Sequence, residues 1–232
     1  MLLNNKVLIV EDEEHIRKFI KVNLEKSGFI AIEADTGEKG LEIVKDESID
    51  IVILDIMLPG IDGFQVCKRL REQFSTIGII MLTAKSQDID KIMGLEYGTD
   101  DYMVKPFNPK ELVLRVKSLL RRMETTKEDD LNIIVDGLFK VDKYSRKFYK
   151  GNEEIELTPT EYSIMKLFIE NPGKAFNRDE ILNAVWGYDF VGDSKIVDVN
   201  IRRLRSKIEN DPSEPYYIET VWGIGYRWRS LD

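Results

Sequence analysis

The chain has 232 residues, room for one large domain or two of ordinary size, and carries 34 basic against 42 acidic residues for a net charge of -8. That balance excludes a protein coated in positive charge, so any nucleic-acid site must be local. A single cysteine, Cys67, and a single histidine, His15, exclude an intrachain disulfide, a thiolate metal cluster and a histidine-rich metal site, and no Gly-x-Ser-x-Gly stretch supports a hydrolase triad on His15. No run approaches the roughly 18 apolar residues that span a bilayer. The expected setting is a reducing cytoplasm, with no membrane.

From the N-terminus, apolar runs at Lys6 to Val10, Phe29 to Glu33, Ile49 to Leu54, Ile77 to Leu82 and Tyr102 to Val104 alternate with amphipathic stretches near 14–27, 37–47, 63–73, 86–96 and 109–121. Such alternation predicts an α/β domain, a five-stranded parallel sheet covered by helices on both faces. The middle runs are nearly continuous in Val, Ile and Leu, as expected for strands buried on both sides. This domain is assigned to residues 1–122.

Composition then changes. Met123 to Asp130 reads METTKEDD, with a net charge of -3: either a solvated linker, 123–130, or a continuation of the preceding helix. A second domain, 131–232, opens with short alternating segments between Ile133 and Leu157, punctuated by Gly137 and Gly151-Asn152, which suggest a small antiparallel sheet.

Thr158-Pro159-Thr160-Glu161 marks a helix start: Thr158 caps, Pro159 fits the first turn, and Glu161 reaches back to the cap amide. Asn171-Pro172-Gly173 ends it. Asn177-Arg178-Asp179-Glu180 repeats the capping logic for a helix ending near Trp186-Gly187, and a third runs from about Ser194 to Glu209. Tyr217 to Trp222 and Gly225 to Arg229, joined through Gly223-Ile224-Gly225, read as a hairpin. Three helices and a hairpin make an α+β winged helix-turn-helix. Trp186, Trp228 and Phe168 are core candidates, Cys67 is packing or partly exposed, and His15 is surface.

Glu11 and Asp12 follow the first strand, Asp55 the third, Thr83 the fourth and Lys105 the fifth. If those strands lie side by side, all five residues converge on one rim. Mg²⁺ needs few protein carboxylates when a phosphate completes its oxygen shell. Asp12 and Asp55 suit direct ligation, and Glu11 suits ligation either directly or through water. Asp55 would attack phosphorus, while Lys105 and the Thr83 hydroxyl would stabilise the phosphoryl oxygens.

The runs KVLIVEDEEHIRKFI and IVILDIMLPGIDGF, with Thr83-Ala84 and Lys105-Pro106-Phe107, resemble the CheY-like receiver domain of bacterial two-component response regulators. The resemblance implies that Asp55 takes phosphate from a partner histidine kinase. It also implies that the Met57 carbonyl joins the metal ligands, that Thr83 and Tyr102 act as the switch, and that the bond before Pro106 is cis. Glu11-Asp12 stands where many receivers have two aspartates. In the winged-helix subfamily, residues like Lys91, Asp101, Glu111 and Arg115 pair across a receiver dimer formed on phosphorylation; here Lys91 is expected to meet Glu111, and Asp101 to meet Arg115, between two copies.

In the C-terminal domain, Lys195, Arg202, Arg203, Arg205 and Lys207 against Asp198 alone give one helix a local charge of +4. Val197, Ile201, Leu204 and Ile208 recur at spacings that face the core. Val199, Arg202 and Arg203 are expected to point away from it. A basic face on the last helix before a hairpin suits entry into the major groove of double-stranded DNA. Arg203 is the candidate for base contact, with Lys195, Arg202 and Arg205 for phosphates.

LTPTEYSIMKLF, VDVNIRRLRSKI and TVWGIGYRW resemble the winged-helix output domain of the OmpR/PhoB subfamily. That resemblance implies DNA contacts at Lys195, Val199, Asn200, Arg203 and Arg205, with Thr220 and Trp222 of the wing near the minor groove. Asn200 stands where histidine is frequent. Trp222 stands where some members use arginine, and packing against sugars is the alternative use for it. The segment Gly187 to Asp193 resembles the loop that touches RNA polymerase, where Tyr188 and Phe190 serve either that contact or turn packing. The whole pattern reads as a phosphorylation-dependent transcription regulator, catalysing nothing beyond its own phosphorylation and dephosphorylation. The alternatives are a Mg²⁺-dependent aspartyl-phosphate phosphatase and a phosphorylation-independent architectural DNA binder.

Overall fold

The computed structural model describes residues 5–84, 97–124, 133–188, 190 and 192–230. The chain divides into two compact units, Met1–Arg121 and Arg122–Asp232, each described by itself.

The first unit runs β1 (Lys6–Val10), α1 (Glu14–Lys26), β2 (Ile30–Ala34), α2 (Gly37–Asp46), β3 (Ile51–Asp55), α3 (Gly63–Gln73), β4 (Gly78–Thr83), β5 (Asp101–Val104) and α4 (Pro109–Met123). All strand pairs are parallel, in the order β2-β1-β3-β4-β5. Val7 to Val10, Ile51 to Leu54 and Ile79 to Leu82 are buried throughout, which explains their unbroken aliphatic composition. Thr36 and Asp62 cap α2 and α3 by accepting from the amides of Lys39 and Gln65. The helix expected over 86–96 lies outside the described residues, as does Lys91. Met123 still belongs to α4, and 125–130 of the expected linker also lie outside.

Strand order reverses direction between β1 and β3: the chain goes from β1 outward to β2, then back across to β3. A crevice therefore opens at the carboxyl ends of β1 and β3. Glu11-Asp12 and Asp55 occupy those ends.

The second unit begins with an antiparallel meander of β6 (Ile133–Asp136), β7 (Phe139–Asp142), β8 (Lys147–Lys150) and β9 (Glu153–Ile155). Then come α5 (Pro159–Ile169), β10 (Ala175–Asn177), α6 (Arg178–Val185), α7 (Lys195–Ile208), β11 (Ile218–Val221) and β12 (Gly225–Trp228). Both expected capping boxes form, Thr158 with Glu161 and Asn177 with Glu180. Trp186, Trp228 and Phe168 are buried, and the Trp228 ring packs against Phe139 and Tyr217 while its Nε1 donates to the Asp136 carboxylate.

The strand β10 is not among the expected elements. Three residues carry too little periodicity to announce a strand; β10 exists because β12 offers it a partner, pairing Phe176 with Tyr226 and Asn177 with Gly225. A Cβ on Gly225 would lie 2.2 Å from the Phe176 carbonyl oxygen, so this close pairing requires glycine.

Candidate phosphoacceptor site and DNA surface

Parallel register carries four of the five rim residues to one edge. Leu82 pairs with Asp55 and Val104 with Thr83, so the ends of β3, β4 and β5 are level. The Lys105 amide donates to the Thr83 carbonyl at 2.7 Å, and the Glu11 amide donates to the Ala34 carbonyl at 3.1 Å. Carboxylate oxygens of Glu11, Asp12 and Asp55 all lie within 4.8 Å of one another. Glu11 and Asp55 are buried and Asp12 is exposed, so one wall of the trio faces solvent.

Lys105 answers the concentrated negative charge. Its Nζ donates to Glu11 Oε2 at 2.6 Å and to Asp55 Oδ2 at 2.9 Å. Burial on its own would lower the Lys105 pKa, but the two carboxylates outweigh it and raise the value. The Glu11 carboxyl is pushed up to about 7: burial raises it most, the Lys105 hydrogen bond pulls it down, and the nearby Asp55 charge raises it again.

The residues fit a hard divalent cation. All donors are oxygens, and Glu11 Oε1 is buried with no hydrogen-bond partner among the described residues, a costly arrangement that a cation or its waters would relieve. Met57, two residues beyond Asp55, has an exposed side chain. Thr83 and Tyr102 are both buried. The Lys105–Pro106 bond is cis. A Cβ on Gly63 would stand 2.1 Å from the Asp55 carbonyl oxygen, so glycine lets the start of α3 close against the strand end that carries Asp55.

On α7, the surface differs from expectation. Lys195 and Arg202 are exposed and Val199 is half-buried, but Arg203 and Asn200 are buried. The reason is geometric: Ile196, Asn200 and Arg203 form a stripe one residue before Val197, Ile201 and Leu204, and α7 buries both stripes. Asn200 Nδ2 donates to the Ile196 carbonyl one turn back, at 2.8 Å. Arg205 is also committed: its Nε and Nη2 donate to the Ile218 carbonyl at 3.0 and 2.7 Å, and Nη2 donates to Thr220 Oγ1 at 2.9 Å, tying helix to wing. Trp222 is 91% exposed at the wing tip.

Comparison with known proteins decides the family. The model for "Response regulator receiver domain" matches residues 7–117, and the model for "Transcriptional regulatory protein, C terminal" matches 152–228. The alkaline phosphatase synthesis transcriptional regulatory protein PhoP of Bacillus subtilis is 44% identical over 97% of both chains. The chain is a two-component response regulator of the OmpR/PhoB type.

SrrA of Staphylococcus aureus, a transcriptional regulatory protein, is 40% identical over 97% of this chain and 96% of its own. The structure of DrrB, an OmpR/PhoB homolog from Thermotoga maritima, covers 98% of this chain and 100% of its own at 32% identity, with a TM-score of 0.52. The response regulator is therefore a DNA-binding transcriptional regulator, and its family implies a kinase partner. No helix among the described residues is long and apolar enough to cross a membrane.

Of the residues expected to pair between two copies, Asp101, Glu111 and Arg115 already meet within one chain. Arg115 Nη1 lies 2.8 Å from Asp101 Oδ1 in the same chain, and Arg115 Nη2 lies 2.7 Å from Glu111 Oε1 one helical turn earlier. The chain satisfies the Asp101–Arg115 pair internally because α4 brings Arg115 to the start of β5.

Several contacts around the acidic loop and the basic helix carry no signal in the sequence. Arg178 Nε lies 2.7 Å from Asp198 Oδ1, and Tyr226 Oη donates to the same oxygen at 2.8 Å, so the one acidic side chain of α7 is held by α6 and by the wing. Arg17 contacts the acidic loop. In sequence each is one charge among many, and nothing in spacing distinguishes it from a solvated surface residue. In the turn after α6, Tyr188 is 88% exposed, whereas the Phe190 ring centroid lies 6.0 Å from that of Trp186.

Proposed function

We propose that a histidine kinase phosphorylates Asp55 and that this controls DNA binding by the winged helix. The observation that carries the reading is the contact of Lys105 with both Glu11 and Asp55, beside a carboxylate trio whose Glu11 Oε1 has no hydrogen-bond partner among the described residues. Asp55 attacks phosphorus; the bond from phosphorus to the kinase imidazole breaks, its electron pair returns to the nitrogen, which takes up a proton, and an acyl phosphate forms. Lys105 and Thr83 stabilise the phosphoryl oxygens. Glu11, Asp12, Asp55 and the Met57 carbonyl would hold Mg²⁺, which supplies charge neutralisation.

Thr83 and Tyr102 are the proposed switch, and phosphorylation favours a homodimer through the face of Lys91, Asp101, Glu111 and Arg115. Lys195, Val199, Arg202, Thr220 and Trp222 are the surface proposed to meet DNA, with Asn200, Arg203 and Arg205 joining if the helix face rearranges on binding. The loop carrying Tyr188 is the proposed RNA polymerase contact. Function in the cytoplasm follows from the DNA partner, and the proposed limits are 1–122 for the receiver, 123–130 for the linker and 131–232 for the output domain.

Acetyl phosphate with Mg²⁺ tests the reading: intact-mass analysis should show one added phosphoryl group on the parent and none on Asp55→Asn. Equal modification of both proteins would overturn it.

A further inference from the structure

Arg17 lies on α1, outside the five rim residues, yet its contacts all concern their placement. Its Nη1 donates to the Glu11 carbonyl at 2.6 Å and to the Asp12 carbonyl at 3.1 Å. Its Nε stands 3.5 Å from Glu33 Oε1 on β2, and the side chain is only 14% exposed. Lys21 Nζ holds the other Glu33 oxygen at 2.6 Å. With the Glu11 amide bonded to Ala34, the peptide groups of the acidic loop are secured from both sides. The α1 N-terminus has no side-chain cap of its own, since Glu13 makes no cap hydrogen bond.

We propose that Arg17 is the positioning residue of the acidic site, its guanidinium holding the Glu11 and Asp12 carbonyls so that both carboxylates face Asp55. Three carboxylates held within 4.8 Å repel one another, and an unsecured loop would relieve that repulsion by moving exposed Asp12 away from Glu11 and Asp55. Arg17 prevents this by fixing the two peptides, while Glu33 fixes Arg17. The planar guanidinium suits this role because one terminal nitrogen, Nη1, serves two adjacent carbonyls while Nε faces Glu33, a fixed division of donors that a lysine ammonium at the end of a flexible stem cannot reproduce. Residues that orient metal ligands without touching the metal typically change affinity by about 10- to 100-fold when removed.

The sign of the effect separates positioning from plain charge. A cation beside a divalent site repels the metal, so if charge alone mattered, removing Arg17 would tighten Mg²⁺ binding. If Arg17 positions the ligands, removing it weakens binding. The inference rests on the metal-assisted phosphoacceptor reading of the site.

The experiment is calorimetric Mg²⁺ titration of the full chain for the parent, Arg17→Met, Arg17→Lys, Glu33→Gln and Asp12→Asn, with circular dichroism to establish folding. Arg17→Met should bind Mg²⁺ about tenfold or more weakly. Arg17→Lys, which keeps the charge but not the fork, should recover only part of the loss, and Glu33→Gln should show a smaller loss in the same direction. Parent-like or tighter binding by folded Arg17→Met overturns the proposal. Should Arg17→Met fail to fold, unchanged affinity in both Arg17→Lys and Glu33→Gln overturns it instead. Parent protein that fails to bind Mg²⁺, or binds it regardless of Asp12→Asn, overturns the reading of the site itself and the Arg17 role with it.

Discussion

Lys105 Nζ stands 2.9 Å from Asp55 Oδ2 although Lys105 follows β5 and Asp55 ends β3, with β4 lying between them. The lysine stem reaches across the end of β4, which sets the ammonium against the carboxylate proposed to receive phosphate. Replacing Lys105 with Met should cut the rate of Asp55 phosphorylation by acetyl phosphate by about 10²-fold, the usual cost of one lost charge-stabilising donor. Rate measurement by intact mass checks it, and a parent-like rate contradicts the role given to the ammonium.

The Glu11 carboxyl gives the metal-free protein a pH signature. Its pKa rises from 4.5 to about 7 on folding, chiefly through burial, so between those values the folded state holds a proton that the unfolded state has released. The contribution to stability is therefore complete below about 4.5 and is lost as pH rises toward 7. Denaturation series from about pH 4 to about pH 8 without divalent cations should show this slope in the parent and a flatter one in Glu11→Gln. Mg²⁺ affinity should rise over the same window, because the cation competes with the proton.

Gly63 is constrained by Asp55 rather than by its own helix. A Cβ there would lie 2.1 Å from the Asp55 carbonyl oxygen and 2.8 Å from Ile56 Cα, both backbone atoms. Gly63→Ala should lower stability by about 1–3 kcal/mol as α3 is pushed off the strand end, and should slow phosphorylation as well. Thermal melts and acetyl phosphate kinetics give the two readouts.

Arg115 is 7% exposed and paired to Asp101 within the chain. Arg115→Glu would bury a third carboxylate beside Asp101 and Glu111, costing about 3–5 kcal/mol. Urea denaturation should show this cost before any change in dimerisation is interpretable. Lys117→Glu, a substitution on the exposed side of the same helix, should keep near-parent stability in the same assay.

Arg202 and Arg203 are neighbours with opposite surroundings. Exposed Arg202, changed to Ala, should weaken binding to every DNA sequence alike and reduce the slope of log affinity against log salt by about 1. Buried Arg203, changed to Ala, should lower the melting temperature of the free protein through lost packing. Salt-dependent binding assays and thermal melts separate the two.

The sequence by itself determined the alternation of strands and helices, both capping boxes, the buried aliphatic runs and the acids that follow β1 and β3. These are local properties: a strand buried on both faces must be aliphatic throughout, and a helix start must satisfy its own amides. Tertiary structure decided what depends on partners distant in the chain. β10 exists only because β12 pairs with it, Arg203 is buried because α7 covers a wider face than its aliphatic residues alone, and Arg115 meets Asp101 inside one chain because α4 and β5 are neighbours. Asp55 belongs to both categories. Its place after a buried strand was legible, whereas the Lys105 contact, the raised Glu11 pKa and the Arg17 brace arise only once the parallel register sets the strand ends level and burial removes water from between the charges.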